Sequence, residues 1–83
     1  MRKFLIATSL VIALPAFAAE VTQDAPLGTT MDEVQTSLVD MGYEVRKVKM
    51  EDGEIEAYAV MDGKISEVFV DLATGLVTRI VAK

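Results

Sequence analysis

The chain has 83 residues, with 8 basic and 13 acidic side chains for a net charge of −5, and it contains neither cysteine nor histidine. Those absences exclude disulfide stapling, a thiol nucleophile, the commonest general base and nearly every zinc or haem ligation scheme. The acidic balance argues against nucleic acid and anionic lipid as partners; it suits a basic protein surface, a cationic ligand or a plain solubility role.

The chain opens with Arg2 and Lys3, followed by a largely apolar run from Phe4 to Leu14 that is too short to span a bilayer as a stable helix. Pro15 breaks that run, and Ala16-Phe17-Ala18 places small residues at both positions a signal peptidase reads. This predicts a signal peptide over residues 1–18, cleaved after Ala18, and delivery to the periplasm or secretion with no membrane attachment afterwards. A retained membrane anchor is the competing reading, opposed by the shortness of the run and the small-residue site on its far flank. No cysteine stands at the cleavage point, which excludes a lipoprotein anchor. The mature chain would have 65 residues and, without Arg2 and Lys3, a net charge of −7. A domain of that size buries only about 60 % of its unfolded surface, so its stability is expected to be marginal.

Residues 19–29 are polar, contain Pro26 and Gly28 and lack periodicity, and are expected to form a flexible arm before an ordered domain over 30–83. Thr30 and Glu33 match a capping box, and Asp32 and Glu33 sit where the helix dipole favours negative charge. Met31, Val34, Leu38 and Met41 repeat at helical spacing and Gly42 is placed to end the helix in a left-handed cap, so a short helix is predicted over 31–41. At about three turns it needs a surface to lie on.

That surface is a sheet. The remaining chain is rich in Val, Ile, Tyr and Phe and is punctuated by Asp52-Gly53, Asp62-Gly63 and Thr74-Gly75, which predicts strands over 43–51, 54–61, 64–71 and 76–82. The fold class is therefore α+β, one short N-terminal helix packed on a four-stranded antiparallel β-meander. A two-residue loop at Asp62-Gly63 pairs Met61 with Lys64 and puts Ile55, Ala57, Ala59 and Met61 on one face with Val68 and Val70, the face for the helix. Pairing through Asp52-Gly53 sets Met50 opposite Ile55 and Val48 opposite Ala57. A β-bulge at Arg46-Lys47 is then required to return Val45 and Tyr43 to the core.

The opposite face is the candidate binding surface. Tyr58, Val60, Ile65 and Phe69 point away from the helix in this register, interleaved with Glu54, Glu56, Glu67 and Asp71. An apolar stripe rimmed by carboxylates has the composition of a contact surface, although strands favour aromatics on packing grounds alone.

Chemistry of other kinds finds little support. Ser37 falls inside the helix and Ser66 within a strand, each read as ordinary polar packing, and so small a domain offers no deep cleft in which to raise one carboxylate pKa selectively. No catalytic, cofactor-binding or metal-binding residue is assigned. Glu51, Asp52, Glu54 and Glu56 crowd one hairpin, but the alternating acids and closing glutamate of a calcium loop are missing. Met31, Met41, Met50 and Met61 are spread at expected core positions rather than bunched as a soft-metal site needs.

From about Thr30 to Val81 the chain resembles the PepSY domain family. In such modules a short helix ends at Gly-Tyr, a Val-x-x-Val/Ile strand and a Tyr-containing strand follow, and an Asp-Gly turn, a Glu-Val-aromatic-Val-Asp strand and a Thr-Gly turn complete the sheet. Here these are Gly42-Tyr43, Val45 and Val48, Tyr58, Asp62-Gly63, Glu67-Val68-Phe69-Val70-Asp71 and Thr74-Gly75; Leu72 stands where members often carry proline. The resemblance implies an exported binding or inhibitory module without catalysis or cofactor, its partner a protein such as a secreted or periplasmic peptidase, met through the open sheet face or an edge strand. Tyr58 and Phe69 would anchor that contact. The alternatives are a small-ligand or cation binder using the acidic hairpin, and a structural role in which homodimerisation closes the open face.

Overall fold

The computed structural model describes residues 20–83; the expected leader and its cleavage after Ala18 lie outside the described residues. Helix α1, Met31–Asp40, is followed by β1, Glu44–Glu51, β2, Glu54–Met61, β3, Lys64–Asp71, and β4, Val77–Ala82. The strands form one antiparallel sheet in the order β1-β2-β3-β4, a meander with α1 lying on one face over β1 and β2. The α+β expectation holds.

Both ends of α1 are set by local chemistry. The Thr30 hydroxyl accepts from Glu33 N–H at 3.1 Å, and Glu33 Oε1 accepts from Thr29 N–H at 2.9 Å, so the returning carboxylate reaches one residue further back than a standard capping box. At the other end Gly42 has φ +103°, its N–H donates to Val39 O, and Tyr43 N–H donates to Leu38 O. That pair of bonds is a Schellman cap, with buried Tyr43 and Leu38 supplying its apolar contact. Val34 and Leu38 are the fully buried knobs of the helix. Complete burial of such a side chain contributes about 1.5–3 kcal/mol.

The sheet register follows from the turns. Asp52-Gly53 and Asp62-Gly63 both have positive φ at their two central residues, the type I′ geometry that suits a two-residue hairpin. Met61 pairs with Lys64, Met50 with Ile55 and Val48 with Ala57. The β1–β2 ladder shifts between Val45 and Lys47, leaving Arg46 as the extra residue and returning Val45 to the helix face opposite Ala59. Ile55, Ala57, Ala59, Val68, Val70 and Val77 have no exposed surface, and the two alanines let α1 come close. A second bulge, not anticipated, lies in β4, where Arg79 pairs with Phe69 but Val77 pairs with Val70, leaving Thr78 extra.

The segment expected to be a flexible arm is instead part of the fold. Asp24 N–H donates to Val77 O at 2.8 Å, Val77 N–H to Ala25 O at 2.9 Å and Leu27 N–H to Gly75 O at 2.8 Å, so residues 24–27 run antiparallel beside the start of β4. Val21 and Leu27 are buried in the common core. Ser37 Oγ donates to Leu27 O at 2.7 Å, and Val21 N–H donates to the Tyr43 hydroxyl at 3.0 Å. Isolated apolar anchors and backbone bonds hold this stretch, which explains why it shows no periodicity. Gly28 belongs to the same joint: it has φ +125°, and a Cβ there would collide with Glu33 Cβ. Two methionines also depart from expectation, since Met31 and Met50 are exposed rather than packed.

Candidate functional site

On the sheet face away from α1, cross-strand pairing arranges side chains in rows. One row reads Lys49, Glu56, Phe69, Arg79, and the next reads Lys47, Tyr58, Glu67, Val81. Beyond them Val60 pairs with Ile65 at the β2–β3 hairpin end. Tyr58 has Ile65 and Phe69 as its diagonal neighbours on β3, so all four expected residues fall in one zigzag stripe across the two central strands. No other described element lies over it.

Exposure along the stripe is uneven. Ile65 is 37 % exposed, while Phe69 is only 7 % exposed although it lies on the open face. Its cover is Arg79, whose guanidinium carbon sits 3.8 Å from the ring centroid. Arginine stacks well on aromatic faces because its planar cation is weakly hydrated and meets the negative ring face. With α1 on the other face, the Arg79 side chain shields this one locally. Tyr58 and Val60 remain half-buried, with the Lys47 ammonium 5.9 Å from the Tyr58 ring centroid. The accessible apolar surface is therefore Tyr58, Val60 and Ile65, with Phe69 seated beneath the cation at one end.

The basic residues of the outer strands were not foreseen as part of the site, yet they complete it. Lys49 Nζ lies 3.5 Å from Glu51 and 3.8 Å from Glu56, and Lys83 Nζ lies 3.3 Å from Glu67. The sequence signal was available in the register: Lys47 and Lys49 alternate with Val48 in β1, and only the β4 bulge had to be known to place Arg79. Glu56 is the one buried charged residue of the described chain. A hydrogen bond shared with Glu51 is the main cause that pushes its carboxyl above the ordinary glutamate value, burial adds to this, and Lys49 opposes it. Glu51 is held below the ordinary value by the same hydrogen bond and by Lys49. Lys49 is raised chiefly by Glu51. The three form a charge-sharing cluster at the β1–β2 end of the face.

Among the described residues no three carboxylates gather as a metal site would require, in the acidic hairpin or elsewhere. A shallow groove of about 580 Å³ lies on the other side of the molecule, between α1, Leu27 and Gly75, away from the stripe. No helix of the described residues is long and apolar enough to cross a membrane.

The family described as peptidase propeptide and YPEB domain matches residues 2–80. No curated protein and no solved structure matched the chain.

Proposed function

This chain belongs to the family of peptidase propeptide and YPEB domains, and from that membership we propose that it is an exported, non-catalytic module that binds a partner protein through the open face of its sheet. The partner class to which the family points is a secreted or periplasmic peptidase, and the mode of action is propeptide-like or inhibitory. The observation that carries the choice of face is the stripe of Tyr58, Val60 and Ile65, apolar, partly exposed and without a covering element among the described residues. Its rim of alternating lysines and carboxylates supplies polar contacts around an aromatic centre, the anatomy of a protein interface. Export rests on the charged, apolar and small-residue pattern of residues 1–18.

The test pairs capture of cell-envelope proteins by the tagged chain with an inhibition assay on any peptidase recovered. A peptidase retained by the wild type and lost with Tyr58→Ala/Ile65→Ala, while that variant still unfolds cooperatively well above the assay temperature, is the expected result. Equal retention by both would move the contact off this face. Recovery of the chain alone would replace this reading with homodimerisation.

A further inference from the structure

The sheet has two edges, and the structure treats them differently. Along β1 the bulge at Arg46 interrupts the ladder, Lys47 and Lys49 follow it, and α1 lies over the strand. Bulges and charges of this kind discourage further pairing. At β4 the start is already occupied, because residues 24–27 bond to Val77 and to Gly75 just before it. Among the described residues nothing pairs with the outer side of the strand's second half. Lys83 N–H donates to Ile65 O, which makes 83–65, 81–67 and 79–69 the hydrogen-bonded pairs with β3. By the alternation of antiparallel ladders, the N–H and C=O groups of Ile80 and Ala82 therefore point outward. Asp24 has φ +69° and Ala25 N–H bonds back to Thr22 O, so the arm turns away before reaching them.

The side chains around this free edge specify an occupant. On the helix face Ile80 is 36 % exposed and, with Ala82, borders a hollow of about 480 Å³ whose floor is Val21, Tyr43 and Met61 and whose charged lining residues Glu20, Asp62 and Lys64 restrict the occupant's carboxylates to the other face. On the open face stand Arg79 and Lys83, the latter already 3.3 Å from Glu67, and residues 76–83 hold no acidic side chain, in a chain that is otherwise acidic. Arg79 makes no salt bridge among the described residues. Self-pairing in the antiparallel register that joins Ile80 of one copy to Ala82 of another, the one that uses both free residues of each edge, sets Arg79 opposite Lys83, like charge against like.

The geometry points to the outer edge of β4 at Ile80–Ala82 as a strand-addition site for an extended partner segment that alternates carboxylate and apolar side chains. Its backbone continues the sheet where residues 24–27 leave off, its carboxylates lie beside Arg79 and Lys83, and its apolar side chains lie beside Ile80 over the hollow. The site shares with the proposed function the premise that the chain binds protein, but it uses a different surface.

The test uses the chain expressed in full and taken as recovered, titrated with a capped eight-residue peptide of alternating Glu and Val and followed by amide NMR. The largest shifts and new exchange protection are expected at Ile80 and Ala82. Arg79→Gln/Lys83→Glu weakens binding by about tenfold or more. Replacing Glu by Lys in the peptide, or N-methylating its pairing edge, abolishes it, a readout independent of variant folding. Tyr58→Ala leaves peptide binding unchanged, so loss in that variant, or shifts centred on Tyr58, would overturn the edge site while sparing the open face. Equal binding of the Lys peptide, shifts along β1, self-association through β4 without peptide, or no binding at millimolar concentration would each overturn it too.

Discussion

The hydroxyl of Tyr43 accepts the backbone N–H of Val21 at 3.0 Å, with both residues buried. The residue that closes the helix cap is thereby the residue that fastens the N-terminal segment, so two parts of the chain separated by the whole of α1 share one polar contact inside the core.

Tyr43→Phe removes the acceptor and leaves a buried amide without a partner. The expected cost is about 1–3 kcal/mol, enough in so small a domain to lower the melting temperature by several degrees. Hydrogen exchange should localise the loss: the Val21 amide loses protection while Ile55 and Val68 keep theirs relative to the lowered global stability.

Phe69 and Tyr58 separate in their contributions. Phe69→Ala vacates a buried site and is expected to cost about 3 kcal/mol or more, whereas half-exposed Tyr58→Ala costs under about 1.5 kcal/mol. Arg79→Ala uncovers the Phe69 ring and costs about 0.5–1 kcal/mol through lost stacking and stem packing. Urea denaturation of the three variants gives the ranking, and a Tyr58 variant less stable than the Phe69 one would refute it.

The carboxyl pair on β1 and β2 makes stability depend on acid in two opposing ways. Glu56 is raised, so the folded state binds its proton more readily than the unfolded state; stability from this group grows as pH falls through the region just above the ordinary glutamate value. Glu51 is lowered, so its contribution is present above the ordinary value and is lost as pH falls below it. Glu56→Gln is therefore expected to melt higher than wild type at neutral pH, with the gap closing as Glu56 takes up its proton. Melting curves from pH 7 to pH 4 check the sign; a gap that widens on acidification would reverse the assignment.

Gly28→Ala and Gly53→Ala contrast two glycines of positive φ. A Cβ at Gly53 meets nothing, and the cost is the turn strain of about 1 kcal/mol. At Gly28 the same atom runs into Glu33, so the carboxylate must give up its bond to Thr29 N–H, and the expected cost exceeds that at Gly53 by about 1 kcal/mol or more. Comparing the two melting temperatures tests the joint.

The regular elements were legible because each carries a local signal: the Thr30–Glu33 cap, the Gly42 stop, and two Asp-Gly turns whose length alone fixes the pairing. The Arg46 bulge was legible as a conflict, since Tyr43 and Val45 reach the core only if the period of two is broken. The docking of residues 20–29 was not, because it depends on backbone groups meeting Gly75 and Val77 from the far end of the chain, and on two anchors, Val21 and Leu27, too far apart to form a pattern. The β4 bulge left only the spacing of Val77 and Ile80 as a trace. At the candidate site the stripe was readable from the β2–β3 register. The cover that Arg79 places on Phe69 was not, because it requires both that second bulge and the choice of a side-chain rotamer.

The pairing of Asp24 and Ala25 with Val77 joins segments about fifty residues apart, while every other ladder links strands adjacent in the chain. In folding terms the hairpins close short loops and are expected to form early, whereas this contact carries the largest loop-closure entropy, offset by a few backbone bonds and the burial of Val21 and Leu27. It is expected to lock last and open first, with residues 20–29 detaching while the four strands and α1 stay assembled, which early loss of amide protection at Asp24 and Leu27 would show. Such an opening would lengthen the unpaired edge of β4 from Ile80 back to Val77 and so make the reach of any added strand a matter of the domain's own breathing.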